Sequence, residues 1–217
     1  MKAVIISGGA IEDGFALGFF EKIKADYTVA ADRGLEFCFR SGLRPDCIVG
    51  DFDSVRPEVI GHYRAQGGIP IHRYNPEKDA TDTAIAVRKA LEAGAEEIWF
   101  LGSTGSRLDH VLSNIFNLGL LRERGVQGWI ADSTNLITMP VGRKITIRKE
   151  EQFGKYVFFF PFRSEVRGLT LEGFKYPLKD YTLVQGDGGL SVSNEIAEAE
   201  ARVSWREGTL LMVQSRD

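Results

Sequence analysis

Up to about residue 136, short apolar runs alternate with stretches in which apolar residues recur at helical spacing. The short runs are rich in β-branched and aromatic residues, which is typical of buried strands. Strands are therefore predicted at 2–7, 27–31, 47–49, 97–101 and 128–131. Helices are predicted at 15–24, 35–41, 57–65, 81–92 and 108–123. This alternation predicts a mostly parallel sheet with helices on both faces, a Rossmann-like α/β domain.

Apolar residues also define one side of the helix at 108–123. This side is expected to face the core, and it consists of Leu108, Leu112, Ile115, Phe116 and Leu120.

The pattern changes after about residue 136, where short strand-like runs are separated by glycines. These runs lie at 141–147, 156–160, 166–171, 182–184, 199–203 and 210–213. They predict a small all-β sandwich or half-barrel. The predicted organisation is an α/β domain over 1–138 and a β domain over 139–217.

Composition excludes several classes of protein. The 217 residues include 27 Lys and Arg against 30 Asp and Glu, a net charge of -3, so we expect no nucleic-acid partner. No run is apolar for long enough to predict a secretory signal or a membrane span. Cys38 and Cys47 form no metal or disulfide pattern, and a buried, reduced Cys38 is expected. We therefore expect a cytoplasmic protein.

Two aspartates follow the strand predicted at 47–49. Asp51 and Asp53 stand directly after Gly50, and in an extended chain their side chains would point the same way. They would then converge at the carboxyl end of a strand, where ligands bind in open α/β sheets. Because two close carboxylates repel each other, a divalent cation such as Mg²⁺ is the natural partner. The alternative is that both acids are simply turn residues, whose side chains hydrogen-bond to the local backbone.

Three further acids lie near helix starts. Asp79 is a candidate N-cap of the helix at 81–92, and Asp82 follows in its first turn. Asp82 could instead complete a metal site with Asp51 and Asp53. Asp32 follows the strand at 27–31, and its simpler role would also be an N-cap.

The segment after the strand at 97–101 has the composition of a phosphate-binding loop. Its glycines and hydroxyls allow backbone N–H groups to approach an anion at a helix start, and an arginine can bind phosphate oxygens. The candidate residues are Gly102, Ser103, Thr104, Gly105, Arg107, Asp109 and His110. An ordinary strand-to-helix turn is the alternative. The segment 7–9 is a weaker second candidate. The chain has neither a Walker motif nor the dinucleotide pattern G-x-G-x-x-G, which disfavours a Rossmann dinucleotide site.

Taken together, these segments resemble the thiamine pyrophosphokinase family. The matching segments are 31–34, 45–54, 78–82, 102–110 with Asn114, and 193–194. The combination of G-D-F-D-S with K-D-x-T-D downstream is fairly specific. The resemblance implies an ATP-dependent enzyme that forms thiamine diphosphate and AMP. It also implies a homodimer whose thiamine site lies between the nucleotide domain of one subunit and the β domain of the other.

The resemblance also implies roles for individual residues. Asp51, Asp53 and Asp82 correspond to Mg²⁺ ligands, while Asp32 and Asp79 correspond to further active-site acids. The loop 102–110, with Arg107 and Asp109, corresponds to the nucleotide site. Ser193 and Asn194 correspond to part of the thiamine pocket. The chain departs from the family pattern at Arg33 and Ser106, where many members have glycine, and no aromatic residue stands beside Ser193 and Asn194. Trp205 is expected in the core of the β domain.

The expected reaction is a direct attack of the thiamine hydroxyl on the β-phosphorus of ATP. Three other functions are open from the residues alone. They are a pyrophosphokinase for another heterocyclic alcohol such as a hydroxymethylpterin, a metal-dependent phosphohydrolase, and a non-enzymatic nucleotide- or thiamine-sensing module.

Overall fold

The computed structural model describes residues 1–75, 81–187 and 193–217. The chain forms two compact units, Met1–Ser133 and Thr134–Asp217. The first is α/β and the second is built of β-strands, so the predicted fold class is confirmed. The division falls just before a strand at 135–138, whereas the sequence boundary was placed just after it.

A parallel sheet forms the centre of the first unit. Its strands are β1 (Lys2–Ile6), β2 (Tyr27–Ala31), β3 (Cys47–Gly50), β4 (Ile71–Arg73), β5 (Glu97–Leu101) and β6 (Gln127–Ala131). They lie in the order β4-β3-β2-β1-β5-β6, and each neighbouring pair is parallel. The chain order reverses between β1 and β5. Such a switch point leaves a crevice at the carboxyl ends of the strands.

Helices connect these strands. They are α1 (Asp13–Ile23), α2 (Gly34–Arg40), α3 (Pro57–Gln66), α4 (Asp82–Glu92) and α5 (Leu108–Glu123). The N-cap of α4 is Thr81, whose hydroxyl accepts a hydrogen bond from the Ala84 N–H at 3.2 Å. The predicted N-cap, Asp79, lies outside the described residues. Asp32 does not cap α2 either, because Arg33 holds that position.

The side of α5 that faces the core differs from the prediction. Leu108, Leu112 and Phe116 are 72%, 54% and 58% exposed, and Leu120 is also exposed. The buried side instead carries Asn114, Asn117, Leu118, Gly119 and Leu121. Leu118 and Leu121 approach Gly128 of β6 so closely that a Cβ there would lie 2.8 and 2.9 Å from their methyl groups. Glycine in β6 therefore sets the side on which the helix packs.

The second unit is a small antiparallel β structure. Its strands are β7 (Asn135–Thr138), β8 (Lys144–Arg148), β9 (Tyr156–Glu172), β10 (Leu178–Leu183), β11 (Asn194–Glu195), β12 (Glu200–Ser204) and β13 (Glu207–Ser215). The strands predicted separately at 156–160 and 166–171 are one long strand, β9. Its first part pairs with β11 and β13, and its last part pairs with β10 and β12.

The strand β13 has a central place in this unit. It pairs with β7 on one side and with β9 on the other. Leu210 and Met212 are buried along it, and Val157 and Phe159 are buried on β9. Trp205 is 4% exposed and its indole N–H donates to the Gly208 carbonyl at 3.2 Å, which confirms the predicted core tryptophan.

None of the helices in the described part of the chain has the length and apolar character that a membrane crossing requires.

Candidate functional site

A pocket of about 1030 Å³ opens at the carboxyl ends of the strands in the first unit. It is lined by the loops that follow β1, β2, β3 and β5, and by the first turns of α4 and α5. This is the position of the switch point between β1 and β5. The pocket therefore collects residues that are far apart in the sequence, including most of the candidates named above.

A cluster of carboxylates lies on one wall. Asp32, Asp51 and Asp53 each place one oxygen so that these atoms lie within 4.8 Å of one another. Asp82 lines the same pocket from the start of α4. The sequence predicted a metal site of Asp51, Asp53 and Asp82, whereas in the described residues the carboxylate oxygens of Asp51 and Asp53 lie together with that of Asp32.

The two aspartates after β3 converge for a different reason from the one expected. The chain between them is not extended, because Phe52 has a left-handed conformation with φ 62°. The Asp53 N–H donates to Asp51 Oδ1 at 3.0 Å, which closes a local turn. Strand alternation therefore does not bring the two side chains together, although both belong to the cluster.

Asp32 is held in a strained turn beside this cluster. Its φ is 46°, and its Oδ2 accepts a hydrogen bond from the Ser54 hydroxyl at 2.8 Å. Burial raises the pKa of its carboxyl, and the nearby charges of Asp82 and Asp51 raise it further. Asp32 Oδ1 is buried and has no hydrogen-bond partner. A buried oxygen without a partner, beside two more carboxylates, fits a hard divalent cation.

Two glycine-containing loops form another part of the pocket lining. They are joined by backbone hydrogen bonds from Gly9 N–H to the Gly102 carbonyl at 2.7 Å and from Ala10 N–H to the Thr104 carbonyl at 2.8 Å. A Cβ at Gly9 would lie 2.3 Å from the Thr104 oxygen, and Gly102 has φ 66°. Both positions therefore require glycine. The segment 7–9, which was the weaker candidate for a phosphate-binding loop, lines the pocket together with the stronger candidate at 102–107.

Buried hydroxyls join the loops to α4 and α5. The Ser103 hydroxyl donates to Ser7 Oγ at 3.1 Å, and Ser7 Oγ lies 3.1 Å from Thr83 Oγ1. The Asn114 amide donates to the Ser103 carbonyl at 2.8 Å. Ser7, Ser103 and Asn114 are all buried. Ser7 and Thr83 were not predicted from the sequence as individual site residues. The sequence signal that could have identified them is position, because Ser7 directly follows β1 and Thr83 directly follows Asp82.

Arg107 and His110 line the outer part of the pocket. Arg107 donates to both oxygens of Asp109, at 2.6 and 3.3 Å, and both side chains are largely exposed. Such an exposed pair contributes little to stability, so Arg107 could exchange Asp109 for a ligand anion. Asp79 lies outside the described residues.

Ser193 and Asn194 belong to the second unit. Ser193 is exposed, with φ 59°. Asn194 is 1% exposed, and its amide is occupied by backbone groups. Its Oδ1 accepts from the N–H groups of Tyr176 and Glu195 at 3.0 Å each, and its Nδ2 donates to the Tyr176 carbonyl at 2.9 Å. Asn194 thus holds the chain at Tyr176, whose own side chain is 53% exposed.

Two family models match this chain. The model described as thiamin pyrophosphokinase, catalytic domain, matches residues 21–129, and the model described as thiamin pyrophosphokinase, vitamin B1 binding domain, matches residues 143–210. The thiamine pyrophosphokinase of Bacillus subtilis is 34% identical over 190 residues, which are 87% of each chain. Thiamine pyrophosphokinase 1 of Oryza sativa is 28% identical over 172 residues, 76% of this chain and 64% of the rice protein.

Solved structures are similar over the whole chain. The crystal structure of thiamine pyrophosphokinase from Bacillus subtilis superposes with a TM-score of 0.88 at 30% identity and covers 100% of both chains. Thiamin pyrophosphokinase from Candida albicans superposes with a TM-score of 0.79 over 99% of this chain and 88% of that one. At 19% identity, the latter shows the fold alone.

Proposed function

Because the chain belongs to the thiamin pyrophosphokinase family, and so transfers the diphosphate of ATP to thiamine, we propose that the pocket of the first unit is where ATP binds with Mg²⁺. The products are thiamine diphosphate and AMP. One observation carries the placement of the site: the cluster of Asp32, Asp51 and Asp53 faces a pocket that two joined glycine loops also line. Carboxylates for a cation and backbone N–H groups for phosphates are what a Mg²⁺-nucleotide site requires.

The proposed metal ligands are Asp51, Asp53 and Asp82, together with Asp32. Asp32 is added because its Oδ1 is buried without a partner within the cluster. Asp82 is kept because it lines the same pocket from α4. When bound, Mg²⁺ would neutralise charge on the phosphate oxygens.

The chain's own groups mainly bind and orient the substrates. The loop 102–106 and the start of α5 present backbone N–H groups and the positive end of a helix to phosphate. Arg107 adds a guanidinium at the same end. Gly102, Ser103, Thr104, Gly105, Asp109 and His110 are the further proposed nucleotide-site residues.

In the proposed reaction, the hydroxyl oxygen of thiamine forms a bond to the β-phosphorus of ATP. The bond from that phosphorus to the oxygen bridging to the α-phosphate breaks, and AMP leaves with this oxygen. A primary alcohol has a very high pKa, so its proton leaves late. We assign the acceptor to Asp32 or Asp79. Positioning and charge neutralisation supply most of the acceleration, as in phosphoryl transfer generally.

The second unit is proposed to contribute to thiamine binding through the segment that contains Ser193 and Asn194. Since the amide of Asn194 is bound to the backbone of Tyr176, its part would be to hold this segment in place. The family resemblance supports a homodimer in which each thiamine site takes residues from both subunits. Mixing two inactive variants, one altered at Asp53 and one at the segment 193–194, tests this arrangement. Restored activity supports shared sites, and no restoration in a confirmed mixed dimer contradicts them.

We also propose a reducing, cytoplasmic location. Its support is that Cys38 and Cys47 are both free and buried, and burial raises the pKa of the Cys38 thiol to about 12. Burial also raises the pKa of the Cys47 thiol, so both thiols stay protonated at neutral pH.

The test of the site is Asp53→Asn, assayed by AMP and thiamine diphosphate formation and by Mg²⁺ titration. We expect turnover to fall by at least about 10²-fold, the usual cost of removing an essential electrostatic group. Asp26→Asn is the matched control, because Asp26 lies at the amino end of β2 and accepts from the Lys2 N–H. Wild-type turnover in Asp53→Asn would remove the metal assignment. Turnover of a hydroxymethylpterin in place of thiamine, or phosphate release from ATP alone, would overturn the substrate assignment.

A further inference from the structure

Arg33 lies on the wall of the pocket, between the acidic cluster and the first glycine loop. It follows Asp32 directly and occupies the N-cap position of α2. It lines the same pocket as Asp32, Asp51 and Asp53, and it is exposed.

The surroundings leave the Arg33 guanidinium available for a ligand. Within the ranges 1–75, 81–187 and 193–217, its side chain has no ion pair or hydrogen bond. The nearest acid on its own helix is Glu36, and this carboxylate is bound by the Nε of Arg56 at 2.8 Å and by the Arg56 N–H at 2.9 Å. Asp32 uses one oxygen for Ser54, and its other oxygen has no partner. Among the described residues, Arg33 thus stands beside carboxylates without a salt bridge or side-chain hydrogen bond to any of them, although its charge adds to the larger effect of Arg56 in lowering the pKa of Glu36.

The first glycine loop packs directly against Arg33. A Cβ at Gly8 would lie 2.8 Å from the Cβ of Arg33 and 3.3 Å from its backbone nitrogen. The base of the arginine side chain is therefore next to a glycine loop that lines the pocket. Arg107, the other arginine lining the described part of the pocket, comes from the second loop and is paired with Asp109.

We propose that Arg33 binds the phosphate chain of ATP and is a further substrate-binding residue of this enzyme. The inference rests on the proposed function, because it takes the pocket to be the ATP site. A polyphosphate placed against the acidic cluster through a cation has anionic oxygens left over, and Arg33 is a cation on that wall that has no salt bridge within the described residues. A guanidinium can bind two such oxygens at once, which an ammonium group cannot do in the same plane.

The experiment measures equilibrium binding of three probes in the presence of Mg²⁺: ATP, inorganic tripolyphosphate and adenosine. The variants are Arg33→Gln and Arg33→Lys. Arg64→Gln is the matched control, because Arg64 is an exposed arginine on α3 that does not line the pocket. The control corrects for the general loss of one positive charge.

We expect Arg33→Gln to weaken the binding of ATP and of tripolyphosphate by about 10- to 100-fold, which is the usual effect of losing hydrogen bonds to a charged group. Adenosine binding should not change. Arg33→Lys should recover part of the affinity, and Arg64→Gln should bind all probes like the wild type. In turnover assays the KM for ATP should rise more than kcat falls.

Unchanged binding of ATP and tripolyphosphate by Arg33→Gln would overturn the inference. An equal loss for adenosine would also overturn it, because the contact would then be to the nucleoside. The proposed function is judged separately, by AMP formation from ATP and thiamine with the wild-type protein. If the wild-type protein forms no AMP, the proposed function is wrong. If its affinity for tripolyphosphate nevertheless depends on Arg33, the proposed contact between Arg33 and phosphate is still supported.

Discussion

Asn194→Ala tests whether the buried amide of Asn194 holds the second unit together locally. The side chain is 1% exposed, and its three hydrogen bonds, at 2.9 to 3.0 Å, all go to backbone groups. Alanine would leave the N–H and the carbonyl of Tyr176 without these partners. The strand pairing around them continues through a bond from the Lys175 N–H to the Glu195 carbonyl at 2.9 Å.

The expected loss follows from these bonds. A hydrogen bond contributes about 0.5–1.5 kcal/mol net, and a buried group left without a partner costs about 1–3 kcal/mol. The segment lies near the surface, so water can reach some of the freed groups. We therefore expect the free energy of unfolding to fall by about 2–4 kcal/mol. For a protein of this size, this corresponds to a decrease in Tm of about 4–16 °C.

Urea unfolding followed by circular dichroism and tryptophan fluorescence measures this change. Tyr176→Ala is the control, because it removes a half-exposed side chain and keeps the backbone groups that Asn194 binds. It should change stability by about 0.5 kcal/mol or less. A loss below about 0.5 kcal/mol for Asn194→Ala, or one no larger than that of Tyr176→Ala, would refute the argument from the amide.

Three other changes test the first unit. Gly34→Ala should destabilise by at least about 1–3 kcal/mol in urea unfolding, because its Cβ would lie 1.9 Å from the Ile6 carbonyl oxygen; a neutral effect would contradict this packing. Glu36→Gln should remove a pH-dependent part of stability. Arg56 lowers the pKa of Glu36, so the wild-type advantage is full above the ordinary glutamate pKa of about 4.3 and disappears as pH falls below it. An advantage that persists at lower pH would disprove this. Leu112→Gln should alter the unfolding free energy by less than about 0.5 kcal/mol, since Leu112 is 54% exposed; a core-sized loss would contradict that exposure.

The parallel sheet could be predicted because its strands are buried on both faces and therefore appear as nearly continuous apolar runs. The residues from Ala3 to Ile6 are all 0% exposed. The strand β4 was missed because it is only three residues long and none of them is buried. The division of β9 into two predicted strands has a similar cause: its middle, near Arg163, is exposed and includes a residue with φ 68°.

The candidate acids could be found because they follow strand ends, and parallel strands bring their carboxyl ends together. Which acids lie closest could not be found this way, because it depends on two local turns. The left-handed residues Asp32 and Phe52 place the side chains, and sequence spacing does not reveal them. The side of α5 that is buried could not be predicted either. Helical periodicity defines faces, but here the buried face includes Asn114, whose amide is bound to a loop carbonyl.

The position of β13 has a consequence for the order in which the protein is made. The strands of the first unit are complete once residue 131 has been synthesised, so this unit can fold while the ribosome is still translating. The second unit must wait, because the strand that joins β7 to β9 is encoded after both of them. Until it emerges, the edges of those two strands are exposed to other nascent chains, and a slow stretch of translation before residue 207 would prolong that exposure.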